Sequence, residues 1–158
     1  MSRKKTPDTH QVVCRNRKAV HDYYIEDRIE AGIVLKGTEV KSLRDGRADL
    51  KDSYATIESG EIFLLNFHIS HWPGAVHFNH EPERKRKLLL HARQISRLRI
   101  QIEQRGRTLI PLSVYFNESN RAKVELGLAK GKRKYDKRAA IRDRDERRGR
   151  EDADIGGD

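Results

Sequence analysis

Apolar residues fall at two spacings along the chain, and each spacing predicts its own kind of element. Over 91–105, Ile95, Leu98 and Ile102 recur at i, i+3 and i+7, with Arg93, Arg97 and Arg99 largely off that stripe. This predicts an amphipathic helix, stopped by Gly106. Elsewhere the period is two. Ile110, Leu112, Val114 and Phe116 alternate over 109–116, and Val124, Leu126 and Leu128 over 123–128, so each set should share one strand face. Asn117-Glu118-Ser119-Asn120 joins them as a hairpin, with Pro111 at an edge or near the strand's start. A second hairpin pairs 54–57 with 62–69 around Glu58-Ser59-Gly60-Glu61. Segment 22–35 mixes Tyr23, Tyr24, Ile25, Ile29, Ile33, Val34 and Leu35 with charges. It predicts one long bent strand or two short ones, with Gly32 as a bulge or barrel corner. Gly37 and Thr38 open a short helix with Thr38 as its N-cap, Val40 and Leu43 on one face and Gly46 as its stop. Segment 71–83, holding Pro73, Gly74, Asn79 and Pro82, is a loop.

About six short strands, two hairpins and one inserted helix predict a mainly β fold: an OB-like closed antiparallel barrel with flanking helices. It should occupy 11–129, between a flexible N-terminus at 1–10 and a disordered basic tail at 130–158. In that tail only Tyr135, Ala139, Ala140, Ile141, Ala153 and Ile155 are apolar, too few to bury a face. Opposite charges recur there at i,i+4, as in Arg142, Glu146 and Arg150, so a polyanion that neutralises the arginines could induce a helix.

Charge changes the picture most. The chain has 158 residues, with 34 Lys and Arg against 24 Asp and Glu. The excess comes in two blocks: net +6 over 81–107, from nine bases and three acids, and net +7 over 130–150, from eleven and four. Dispersed charge would only keep a protein soluble; two blocks point to two polyanion contacts, nucleic acid first. No apolar run approaches the ~18–20 residues that span a bilayer, and no apolar segment follows the charged N-terminus as in a secretory signal. Cys14 is the one cysteine, so no internal disulfide forms and a reducing cytoplasm is the expected home.

Candidate chemistry is sparse. His68 with His71 and His77 with His80 have ligating spacings, but no thiolate lies near them in sequence and nothing fixes loop geometry, so no metal is expected. Cys14 and His21 form a conceivable nucleophile and base, although a cysteine beside Val12 and Val13 more often packs. Asp45, Asp49 and Asp52 would be the ligands of a Mg²⁺-dependent nuclease. Gly127, Gly131 and Lys132 lack both the spacing and the Ser or Thr of a phosphate loop; the two glycines suit the point where the last strand yields to the tail. The run Arg84, Lys85, Arg86, Lys87 feeds Leu88, Leu89 and Leu90. That pattern fits docking on folded RNA, and equally a solvated loop leading into core leucines. A generic OB-fold binder of single-stranded RNA, or a ribosomal protein, fits the same composition.

The order of several short stretches resembles the small protein B (SmpB) family. They include Asn16-Arg17-Lys18-Ala19, Glu30-Ala31-Gly32, Gly37-Thr38-Glu39-Val40 and Asp52-Ser53-Tyr54. Phe78-Asn79-His80, the run from Arg86 to His91, Lys123 to Gly127, and Tyr135-Asp136-Lys137-Arg138 continue the match. The resemblance implies an oligonucleotide-binding barrel that is an adaptor, not an enzyme, and needs no cofactor. Its implied partners are the tRNA-like domain of tmRNA, one copy per tmRNA, and the decoding centre and mRNA channel of ribosomes stalled without a stop codon. Implied tmRNA contacts are Glu30, Leu89 and His91; Arg17, Lys18 and His21, with the basic run Arg84, Lys85, Arg86 and Lys87, are expected to add further contacts to the same RNA. Implied decoding-centre contacts are Gly131, Lys132, Tyr135, Asp136, Lys137 and Arg138. His91 is Asn and Tyr135 is His in some members. The chain departs from the family at His71-Trp72-Pro73 and in its acidic end over 151–158.

Overall fold

A computed structural model describes residues 11–75 and 78–132. In chain order the elements are β1 (Gln11–Arg15), α1 (Arg17–Asp22), β2 (Tyr23–Ile33), α2 (Gly37–Arg44), β3 (Ala48–Asp49), β4 (Tyr54–Glu58) and β5 (Glu61–Leu65). There follow β6 (His68–Ile69), β7 (Arg86–Leu89), α3 (Ala92–Arg105), β8 (Thr108–Phe116) and β9 (Ala122–Gly131).

The architecture is mainly β. Six strands hydrogen-bond in the order β8, β4, β5, β7, β2, β9, and β9 returns to β8, so the sheet closes into a ring. β1 adds to β8 outside the ring, and β3 and β6 form a two-stranded sheet of their own. Alternation fills the interior. Ala31, Ile62, Leu64, Leu88, Leu109, Val114, Val124 and Leu126 point inward, and Leu98 of α3 packs against them with Ile95 and Ile102. The helix expected from that stripe therefore forms, and Gly106 ends it in the left-handed conformation at φ 65°. Both expected hairpins form as well.

Several expectations need correction. Ile110, Leu112, Val114 and Phe116 do not share a face, because a bulge between Pro111 and Ser113 shifts the alternation. Val114 and Phe116 enter the ring; Ile110 and Leu112 turn outward and form a second cluster with Ala19 and Ala129. That outer patch is the seat of α1. Asn16 pins it there: its backbone N–H donates to Leu112 O at 2.8 Å, its Nδ2 to Pro111 O at 3.0 Å, and its Oδ1 accepts from Ala19 N at 3.3 Å. Of the two places expected for Pro111, it takes the one near the strand's start, fourth of nine residues in a paired strand rather than at an edge. It falls where β8 changes partner from β4 at Leu109 to β1 at Ser113, so no neighbour requires its N–H.

The bend expected at Gly32 lies earlier, as a bulge between Ile25 and Asp27, and 23–33 is one continuous strand. Thr38 is not the N-cap of α2. Lys36 holds that position, Glu39 Oε1 accepts from its N–H at 2.7 Å, and the Thr38 hydroxyl bonds His80 Nδ1 at 2.9 Å instead. Segment 62–69 breaks at Asn66, whose φ is 60°. β9 does not yield at Gly127. A Cβ there would lie 3.1 Å from Leu112, so this glycine permits close packing in mid-strand, and the strand runs two residues past the expected boundary at 129.

Candidate nucleic-acid interface

The closed ring has an outward set of positions, and register decides which side chains meet on it. Ile29, Ala31 and Ile33 face inward along β2, so Glu30 and Gly32 face out. Gly32 pairs with Leu89 of β7, and a Cβ on Gly32 would lie 3.2 Å from Leu89 Cβ. The leucine therefore lies across the glycine and remains 52% exposed. Glu30 and Leu89, expected to act together from positions 59 residues apart, stand on one outer face within two residues of strand. His91 follows, exposed, at the N-cap of α3, where its N–H donates to Gln94 Oε1 at 3.1 Å.

Glu30 is not alone on that face. Glu125 of β9 stands directly opposite it. Tyr115 donates its hydroxyl to Glu30 Oε2, and Arg28 Nη1 donates to Glu125 Oε1 at 2.8 Å. Burial of the Tyr115 ring, then the Glu30 carboxylate, raises the phenol's pKa well above its ordinary value, so the hydroxyl keeps its proton. Neither Tyr115 nor Glu125 stands out in the sequence as a site residue. Only the outward parity of two strands, in register, would have found them.

Beside this face lies a cleft of about 540 Å³ between α1 and strands β1, β2 and β8, bordered by Arg15, Arg17, Arg28, Glu30, Tyr115 and Glu125. Lys18 borders a second cleft, of about 260 Å³, on the side of Asp52 and Tyr54. His21 Nδ1 lies 2.9 Å from Asp22 Oδ1. Among the described residues, Arg15, Arg17 and Lys18 have no carboxylate partner.

The basic run divides by strand parity. Arg86 is fully buried and faces the interior; it is not an RNA contact. Its Nε donates to Glu39 Oε2, its Nη1 to Phe67 O, and its Nη2 to Pro82 O at 3.1 Å. Arg84 Nη2 reaches Glu39 Oε1 at 2.7 Å. Burial works to raise the Glu39 pKa, but the bonds from Arg84 and the Lys36 N–H, with the charge of Arg86, hold it below the ordinary carboxylate value. Lys85 and Lys87 do face solvent. Lys85 pairs with Glu58 and lies 4.3 Å over the Phe63 ring, while Lys87 meets Glu61 at 3.0 Å. Both pairs are exposed and easily exchanged for phosphate.

Gly131 pairs with Tyr23, and Lys132 is fastened against α1. Its N–H donates to Asp22 O at 3.0 Å, its Nζ to Val20 O at 3.2 Å, and its ammonium sits 4.9 Å over the Tyr24 ring. Tyr135, Asp136, Lys137, Arg138 and the rest of the tail lie outside the described residues, as do His77 and residues 1–10.

The residues of the hydrolytic alternatives have the following surroundings. Asp45 pairs with Arg47 at 2.8 Å, Asp49 Oδ1 accepts from Lys51 N at 2.9 Å, and Asp52 sits at φ 61° in the turn preceding Ser53. Among the described residues no three His, Cys, Asp or Glu side chains converge on a metal position. Both ring nitrogens of buried His80 are engaged, by Thr38 and by Ile69 O at 2.8 Å. Burial, then Asp49, pushes the Cys14 thiol up to about 12, which leaves it without thiolate at neutral pH.

Fold and surface together define a class: a small, strongly basic, mainly β protein whose closed ring carries a mixed-charge cleft on its outside. The SmpB protein family model matches residues 13–154. The SsrA-binding protein of Moorella thermoacetica is 58% identical over 138 residues, covering 87% of this chain and 89% of the relative. That of Syntrophobacter fumaroxidans is 55% identical over 143 residues, covering 90% and 88%. A solved chain described as "tmRNA-SmpB: a journey to the center of the bacterial ribosome" superposes with a TM-score of 0.66 at 51% identity, covering 82% of this chain and 94% of that one. The chain belongs to the SmpB family.

Proposed function

We propose that this chain is an RNA-binding adaptor that holds the tRNA-like domain of tmRNA and delivers it to stalled ribosomes for trans-translation. The observation that carries the proposal is the identity of more than half of all aligned positions with SsrA-binding proteins over about nine-tenths of the chain. The ring is then an OB-like barrel of cytoplasmic type, bound as one copy per tmRNA. Glu30, Leu89 and His91 form the centre of its RNA face. Arg17, Lys18 and His21 extend that face along α1, and Lys85 and Lys87 along β7. Gly131, Lys132, Tyr135, Asp136, Lys137 and Arg138 begin the segment that meets the decoding centre, and the net +7 over 130–150 suits that second polyanion.

A generic binder of single strands would present stacking aromatics on adjacent strands. Among the described residues the exposed aromatics are Tyr24 on β2, Tyr54 on β4 and Phe78 in a loop, and β2 and β4 are not neighbours. This favours recognition of a folded RNA.

The test separates the two contacts. A chain ending after Lys132 keeps every described strand and the fastening of Lys132 to α1. Its affinity for the tRNA-like domain should stay within about threefold, well under the ~1.4 kcal/mol of a tenfold change. Peptide tagging on stalled ribosomes should be lost. Tagging by the shortened chain, or loss of RNA binding outright, would refute the two-contact reading.

A further inference from the structure

The cleft beside Glu30 has a chemistry more specific than general RNA affinity. Its polar centre is a carboxylate, which only accepts hydrogen bonds. The Tyr115 hydroxyl, carried on a ring that is only 6% exposed, takes Oε2 and fixes the plane of the group. Glu125, the neighbouring carboxylate, is engaged by Arg28. Glu30 Oε1 receives no bond from any described residue, although Glu30 is exposed at the cleft wall. Arg15 and Arg17, without carboxylate partners among the described residues, line the same space. The cleft thus offers phosphate-binding guanidinium groups around one oriented acceptor.

A base meeting an acceptor-only group must present donors. Guanine alone carries two adjacent donors, N1–H and N2–H₂, on its Watson–Crick edge. Adenine and cytosine place a ring acceptor beside their amino group, and uracil flanks its one N–H with two carbonyls, so each would turn a lone pair toward the carboxylate. Unpaired bases are the ones whose edges are free to be read in a structured RNA.

We propose that this cleft receives one unpaired guanine, whose N1–H and N2–H₂ donate to the Glu30 carboxylate while Arg15 and Arg17 meet the flanking phosphates. Tyr115 is a positioning residue: it does not touch the base, but it holds the carboxylate edge-on to the donors. The proposal rests on the RNA-binding function set out above and adds to it the identity of the base and the part played by Tyr115.

The experiment titrates the full chain against synthetic tRNA-like-domain RNA carrying inosine in place of each unpaired guanine in turn. Inosine lacks only the 2-amino group. At one position the substitution should weaken binding about 5- to 20-fold, the scale of one bond lost from a bidentate pair. Glu30→Ala should bind the guanine and inosine RNAs equally. Tyr115→Phe, which keeps the buried ring, should retain its circular dichroism and reduce the guanine preference at that position to under about twofold. A purely structural Tyr115 would lower affinity for both RNAs alike and leave the preference intact, and that result would overturn its role. If the unmodified RNA does not bind at all, the adaptor function itself fails. If it binds but no inosine position depends on Glu30, the guanine site is refuted and the adaptor function stands.

Discussion

Glu30 and Glu125 stand directly opposite each other across β2 and β9, two carboxylates in register on one outer face. Opposed like charges ordinarily cost a sheet stability. Here each has its own donor: the neutral hydroxyl of Tyr115 serves Glu30, and the guanidinium of Arg28 serves Glu125. Only Glu125 is charge-neutralised, so the remaining negative charge is concentrated on Glu30.

The first prediction tests that division. Arg28→Ala should destabilise the fold by about 0.2–1 kcal/mol, the range for an exposed pair and an opposed like-charge pair. The loss should shrink at high salt and disappear when Glu125→Gln is added. Urea unfolding at two ionic strengths measures both effects.

The second concerns the buried ion pair. Glu39→Gln leaves Arg86 buried without its counter-charge and should cost about 3–5 kcal/mol. The pH dependence has a definite sign. The folded-state pKa of Glu39 lies below the ordinary 4.5, so its stabilisation is complete above that pH and drains away as pH falls through the folded value. Chemical denaturation from neutrality into acid should show a steeper loss for the wild type than for Glu39→Gln.

Two glycines give a paired prediction. Gly127→Ala drives a methyl against Leu112, which is only 7% exposed and has little room to yield, so the cost should be about 1–3 kcal/mol. Gly32→Ala presses on Leu89, which is exposed and can move. Its cost in stability should stay under about 1 kcal/mol while RNA affinity falls, because the displaced leucine belongs to the proposed binding face. Thermal melts beside RNA titrations distinguish the two substitutions.

The fourth concerns salt. About four to six phosphate contacts would give a slope of log affinity against log salt of roughly −3 to −5. Neutralising Arg17 and Lys18 together should reduce its magnitude by about 2 without unfolding the protein. Arg84 and Arg86 are unsuitable for this measurement because both are bound to buried Glu39.

The sequence announced the elements whose stability is local. α3 has its stripe and Gly106, and both hairpins have alternating strands and turn residues. What escaped it depends on partners far along the chain. β7 looked like a basic run because nothing near Arg86 indicates that Glu39, 47 positions earlier, will bury it. α1 has six residues and exists because Asn16 finds the β8 bulge 95 positions away. The same bulge explains why Ile110 and Leu112 turned out to serve α1 rather than the ring. Glu30, Leu89 and His91 came from family resemblance. Tyr115 and Glu125 needed the register between strands, and alternation within one strand does not supply it.

The fastening of Lys132 sets a path for mechanical load. Its backbone and its ammonium both attach to the end of α1, through Asp22 O and Val20 O. Tension on the chain beyond 132 therefore reaches α1 before it can peel β9 from β2. That helix also carries Arg17 and Lys18 and is seated through Asn16 on the bulge of β8. A pull on the C-terminal segment is thus transmitted to the wall of the cleft beside Glu30, and in the proposed function grip and traction share a single six-residue element.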